Sequence, residues 1–127
     1  MNELMDVEEI NKTVAMEGDY KKFTYKDIEC EIKRVPWSGH LCGYLHTGGL
    51  TDKERDIVDY NFYFGITYEQ DGVYGFDCAH FRDIMPNTMQ DMYNTSGSND
   101  TYKTMGYVEN ILKETIDELK KREKEQD

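Results

Sequence analysis

Apolar positions recur along the chain with two periods. Leu4, Val7, Ile10 and Val14 stand three and four apart, which predicts one apolar stripe of a short helix over Asn2 to Ala15, ended by Gly18-Asp19. Phe23 to Lys26 then reads as a strand. Ile28, Cys30 and Ile32 alternate with Glu29, Glu31 and Lys33, the period of a strand with one buried face, closed by Pro36. His40 to His46 alternates as well, with Leu41, Gly43 and Leu45 on one face and Cys42 and Tyr44 on the other. Thr51 to Asp59 is polar and predicts at most one helical turn. Asn61 to Tyr68, rich in Phe, Tyr, Ile and Thr, suits a pleated surface. Asp71-Gly72 separates it from Val73 to Cys78, a hairpin signal. Pro86 to Asp100 has no period and reads as a surface loop. From Thr101 the helical period returns through Tyr102, Met105, Val108, Ile111, Leu112, Ile116 and Leu119, with Asp100 or Thr101 as N-cap. The pattern predicts an α+β fold. A short N-terminal helix, an antiparallel sheet of four to six strands and a long C-terminal helix form one domain over 1–127, frayed over 119–127.

Charge changes what this domain can meet. The 127 residues carry a net charge of -11, and residues 51–100 hold ten acids against three bases. That balance excludes a duplex-DNA binder, which needs clustered Lys and Arg. It leaves a solvated acidic surface, or an acidic face that meets a basic partner. No apolar run reaches the ~20 residues of a membrane span. The first ten residues lack the basic and apolar regions of a signal peptide, so a cytoplasmic protein is expected. Cys30, Cys42 and Cys78 are odd in number and include no CxxC pair, which argues against a disulfide framework.

The densest polar cluster is Asp77-Cys78-Ala79-His80-Phe81-Arg82-Asp83. It is open to several readings. His80 with Asp77, Asp83, His40 or His46 has donor types that suit zinc, manganese or iron, without any HExxH spacing. Cys78 and His80, two apart on a strand, could form a nucleophile pair. Arg82 could clamp an anion while His80 and Asp77 make polar contacts and Tyr and Phe supply stacking walls. His80 could also be a satisfied core histidine and Asp77 a loop cap. Tyrosine is abundant, with 10 in the chain, and Tyr60, Tyr63, Tyr68 and Tyr74 fall within or beside the expected hairpin. Their rings can pack across strands or stack on a base.

Gly39-His40-Leu41-Cys42-Gly43-Tyr44-Leu45, Gly65-Ile66-Thr67-Tyr68 and Gly75-Phe76-Asp77-Cys78-Ala79-His80 with Asp83 resemble, in order and spacing, three motifs of one family. These are the GHLCGYV, GLTY and GFDCAHxxD segments of small proteins common in bacteriophages and mobile elements. Tyr102 to Glu109 resembles the opening of that family's last helix, and the likeness spans residues 30–120. The family carries a histidine where this chain has Tyr63, so a metal site using that histidine is not expected here. The family has no assigned activity. What the resemblance implies is a phage origin and motifs that cluster as a site.

The expected function is therefore a phage-type accessory protein that binds a small ligand through His40, Tyr44, Asp77, His80, Arg82 and Asp83. The ligand would be a nucleotide-type immune signal withheld from a host defence system, with no cofactor and no bond broken. The expected partners are that small molecule, a host defence protein and a second copy of the chain, with no duplex nucleic acid and no membrane. Two alternatives stand beside it. One is an acidic inhibitor of a defence effector, of anti-CRISPR or DNA-mimic type, acting through residues 51–100. The other is a metal-dependent hydrolase using His40, His80, Asp77 and Asp83.

Overall fold

Strand alternation organises the molecule. The computed structural model describes residues 5–88 and 100–126. Its five strands are β1 (Tyr20–Tyr25), β2 (Ile28–Arg34), β3 (Leu41–His46), β4 (Tyr68–Gln70) and β5 (Val73–Asp77). They form one antiparallel sheet in the order β1-β2-β3-β5-β4. Helix α1 (Val7–Glu17) precedes the sheet, α2 (Asp52–Asn61) links β3 to β4, and α3 (Met105–Gln126) follows it. The α+β architecture expected from the pattern is present.

The pairing β2–β3 sets the register. Cys30 faces Leu45 and Ile32 faces Gly43, so the apolar half of each strand falls on one side. There Cys30, Ile32, Leu41, Leu45, Tyr74, Phe76 and Cys78 meet Met105, Val108, Leu112, Ile116 and Leu119 of α3. Gly43 makes the close approach work: a Cβ there would lie 2.8 Å from a Val108 methyl and 2.9 Å from the Phe76 ring. Val58 of α2 enters the same core. The opposite side of the sheet carries Glu29, Glu31 and Lys33 of β2, Cys42, Tyr44 and His46 of β3, and Val73 and Asp77 of β5, by the period-2 rule. Helix α1 packs elsewhere, placing Ile10 against Ile84 and Tyr102.

Both tight hairpins have two consecutive positive-φ residues, Lys26-Asp27 (φ 48° and 69°) and Asp71-Gly72 (φ 52° and 78°). This is the turn geometry whose twist matches flanking strands. The helix ends are chemically marked. Asp6 caps α1 by accepting from the Glu9 N–H at 2.8 Å. Thr51 and Glu54 cap α2 reciprocally, at 3.2 and 2.9 Å.

Three local expectations change. The segment expected to hold one helical turn is the ten-residue α2, stabilised by that capping box and by burial of Val58. The run Asn61 to Tyr68 is not a strand. It ends α2 and then turns at Phe64 and Gly65, both with positive φ (61° and 82°), and only Tyr68 joins a strand. Asp59 fixes this turn by accepting from the Ile66 N–H at 2.8 Å. The last helix starts at Met105 rather than beside Asp100 or Thr101; the Thr104 hydroxyl accepts from the Tyr107 N–H at 3.1 Å. The loop expected from Pro86 to Asp100 lies mostly outside the described residues.

The Gly43 contact yields a measurable consequence. Gly43→Ala inserts a methyl group between Val108 and Phe76 and is expected to destabilise the fold by about 1–3 kcal/mol. The midpoint of urea unfolding followed by circular dichroism reads this directly. An unchanged midpoint would mean that α3 does not press on β3 as described.

Candidate functional site

The site grows out of the end of β5. Cys78 continues the ladder by donating its N–H to the Leu41 carbonyl at 3.0 Å. The chain then folds back on its own side chains. The Asp77 carboxylate accepts from the Ala79 N–H at 3.1 Å, and the Asp83 carboxylate accepts from the His80 N–H at 3.0 Å. The turn closes when the Asp83 N–H donates to the His80 carbonyl at 2.9 Å. Arg82 takes a left-handed backbone conformation, φ 72°.

Asp83 is the anchor of this turn. Its side chain is wholly buried. The Tyr63 hydroxyl donates to it at 2.6 Å and the Lys103 ammonium lies 3.0 Å away. The Lys103 amine also hydrogen-bonds the Thr101 hydroxyl and lies over the Tyr63 and Tyr107 rings. A buried carboxylate is tolerated only when it is paired and hydrogen-bonded in this way. Burial, then the bond to Asp83, raises the Tyr63 hydroxyl's pKa far above its ordinary value.

His80 lies between two carboxylates. Its Nε2 is 3.5 Å from Asp77 and its Nδ1 is 3.5 Å from Asp83. The second contact is long and misaligned, so the buried Nδ1 makes no hydrogen bond among the described residues. The ring is stacked on Phe64, centroids 4.1 Å apart and planes 12° from parallel, with the edge of Tyr63 against it. His40 belongs to the same neighbourhood. Its Nδ1 bonds the Ser38 hydroxyl at 2.6 Å. Burial holds its imidazole below the ordinary value of 6.5, while the charges of Asp77 and Asp83 oppose the shift and that of His80 adds to it.

The fold thus brings His40, Asp77, His80 and Asp83 together. Tyr44, farther along β3, is near enough to Asp77 to feel its charge, and Arg82 adjoins Asp83 in the chain. Tyr44 stands two residues past Cys42 on β3, pairs with Gly75 and lays its ring over that glycine. The edge of Tyr68 meets it at 5.4 Å, and burial pushes its hydroxyl up to about 12. Arg82 points outward, its guanidinium 5.4 Å from the ring of Phe81, which is 84% exposed. Sequence reasoning missed Tyr63 as an Asp83 partner, and missed Phe64, Lys103 and Ser38 altogether. The one available signal was Tyr63, which stands where the resembled family has histidine.

This arrangement disfavours two chemistries. Burial pushes the Cys42 thiol up to about 11 and Cys30 to about 12, and raises Cys78 well above its ordinary value. At neutral pH these are thiols, not thiolate nucleophiles. Asp83 already accepts from Tyr63, Lys103 and the His80 N–H, which leaves it poorly placed as a metal ligand.

A second polar group sits on the open sheet face. His46 Nε2 is 2.5 Å from Glu31 and its Nδ1 is 3.8 Å from Glu29. The Tyr20 hydroxyl donates to Glu31, and this bond holds the carboxyl below its usual value. No family model, curated protein or solved structure matches the chain.

Two outcomes follow. Asp83→Ala leaves Lys103 buried without its carboxylate and is expected to cost about 3–5 kcal/mol of stability. Chemical denaturation measures it, and a loss below about 1 kcal/mol would remove Asp83 as the anchor. His40 gives a pH signature. Its folded pKa is depressed, so as pH falls below 6.5 the unfolded chain takes up the proton first. Stability should therefore decline as pH falls through about 6.5, and decline less in His40→Asn. Equal slopes for both proteins would contradict a buried, neutral His40.

Proposed function

We propose that the protein binds a small, planar, anionic ligand of nucleotide type beside His80 and holds it without breaking a bond. The observation that carries this reading is the parallel Phe64–His80 stack, with exposed Phe81 and Arg82 following His80 in the chain. Phe64 is 63% exposed, so an apolar ring is spent at the surface on a residue with positive φ. Left-handed backbone at a bulky residue costs of order 1–3 kcal/mol, and such strain concentrates at binding sites. The rings provide faces for a base, Arg82 provides a guanidinium for phosphate, and His40, Asp77 and the polar edge of His80 provide hydrogen bonds. Trp37, 80% exposed on the turn before His40, adds another aromatic surface. The buried, protonated thiols support binding rather than covalent catalysis.

In this reading the protein is a phage-type accessory factor. It sequesters a nucleotide immune signal, and the resemblance of the motifs around His40 and His80 to segments of phage proteins supports this reading. The test incubates the purified chain with cyclic oligonucleotides and cyclic ADP-ribose isomers, then denatures it and analyses the supernatant. Intact ligand is expected. Phe64→Ala is expected to weaken binding by about 1–3 kcal/mol, the range for loss of one stacking partner. Arg82→Ala is expected to weaken it by a similar amount. Absence of binding across the panel ends this reading, and recovery of altered ligand replaces it with an enzyme.

One observation favours a second reading. Asp52, Asp56 and Asp59 are exposed on α2 at helical spacing, beside Tyr60, which is 88% exposed. An acidic helix face with an aromatic anchor suits a basic groove on a defence effector. That partner would be lost from a pull-down as salt rises, whereas the small ligand would be retained through stacking.

A further inference from the structure

The β2–β3 register places a different set of donors on the open face of the sheet. Glu29 is directly opposite His46, and Glu31 stands two residues along the same strand. Side chains two apart on a strand share a face, and directly opposed pairs have Cβ atoms ~5 Å apart. One donor atom from each of Glu29, Glu31 and His46 lies within 4.8 Å of the other two. We infer that these three residues bind one divalent transition-metal ion of the zinc class, at a site separate from the His80 cluster.

The donor chemistry supports this assignment. One imidazole nitrogen with two carboxylates is a borderline set that suits Zn2+ or Co2+ better than Ca2+ or Mg2+, which take oxygen alone. An ion ~2.1 Å from each donor needs them ~3–3.5 Å apart. The two present contacts use different ring nitrogens, Nε2 toward Glu31 and Nδ1 toward Glu29; an ion would be held by one of these nitrogens alone, with both carboxylates turned to that side. Two groups hold the carboxylates from outside: the Tyr20 hydroxyl on Glu31 and the Lys22 ammonium 3.4 Å from Glu29. Outer hydrogen bonds of this kind orient metal-binding carboxylates.

A second observation points the same way. A cleft of about 220 Å3 has Glu31 and His46 in its wall, together with Lys33, Tyr44, Tyr68 and Val73. With three protein ligands an ion keeps a position open, and the cleft gives room for water or a small anionic ligand there. Lys33 lies over the Tyr44 ring beside this space. The strands are rigid and antiparallel, so the three donors are held by the sheet rather than by a loop.

The test uses the full chain freed of metal with a chelator and titrated with Zn2+ by calorimetry. One equivalent is expected. His46→Ala and Glu31→Gln should each weaken binding about tenfold or more. Glu8→Gln, an exposed acid on α1, should leave it unchanged and so controls for attraction to acidic surface. Because either sheet variant could perturb the fold, Mn2+ is added to the unaltered protein and backbone amide signals are followed by NMR. Broadening centred on Glu29, Glu31 and His46 supports the site. Absence of Zn2+ binding at millimolar concentration overturns it. So does binding unaffected by His46→Ala, or broadening centred elsewhere. None of these outcomes depends on whether a nucleotide binds near His80.

Discussion

The Arg34 guanidinium holds together the parts of the molecule that are distant in sequence. It is buried at the end of β2 and donates to the Gly18 and Gly39 carbonyls, the Glu17 and Asp19 carboxylates and the Tyr102 hydroxyl. Glu17 in turn accepts from Tyr102 and from the Met105 N–H at the start of α3. One cation therefore fixes the end of α1, the turn that presents His40 and the entry to the long helix. A buried charge is costly unless every polar group around it is satisfied, and here the donors and acceptors meet one another. Arginine suits the place because its planar fork reaches several acceptors in fixed directions.

Asp83 repeats this logic with the opposite sign. It gathers Tyr63 from the exit of α2, Lys103 from the approach to α3 and the His80 N–H from its own turn. The two hubs are joined through residues 101–105, since Thr101 bridges to Asp83 while Tyr102 and Met105 bond Glu17. The His40–His80 neighbourhood lies between them. Its geometry is thus set by two buried charges as well as by its own contacts, and among the described residues the His80 Nδ1 has no hydrogen bond.

What was legible in the sequence follows from which physical signals are local. Ile28 to Lys33 and His40 to His46 announced themselves by alternation, and Val73 to Cys78 by the Asp71-Gly72 turn before it, because those signals need no tertiary context. α2 was underread because its helix rests on few apolar positions, Ile57 and Val58, and its Thr51–Glu54 capping box was the overlooked cue. Asn61 to Tyr68 misled because aromatic composition suits a strand, while Asp59 and Gly65 pull the chain into a turn that only the folded α2 can supply. The motif at Asp77–Asp83 was legible as a cluster. Its partners Tyr63 and Lys103 were not, since both come from segments whose position depends on α2 and α3. Tyr44 was grouped with it by motif membership and Arg82 by its place in the Asp77–Asp83 run, neither of which carries information about distance.

The open face follows from the same register that builds the core. The pairing that sets Cys30 against Leu45 and Ile32 against Gly43 necessarily sets Glu29 against His46 and Glu31 against Tyr44. A slip of one residue would bury the glutamates under α3 and expose Ile32, so burial of the apolar half enforces placement of the polar half. The strand alternation that first predicted a sheet therefore also fixes the Glu29, Glu31 and His46 cluster. The net charge of -11 does not determine where an anion or a cation could bind. Lys33, Arg82 and Lys103 are each set beside aromatic rings, while Glu29 and Glu31 are set beside an imidazole. Local pairing, rather than overall charge, sets the charge that each surface presents.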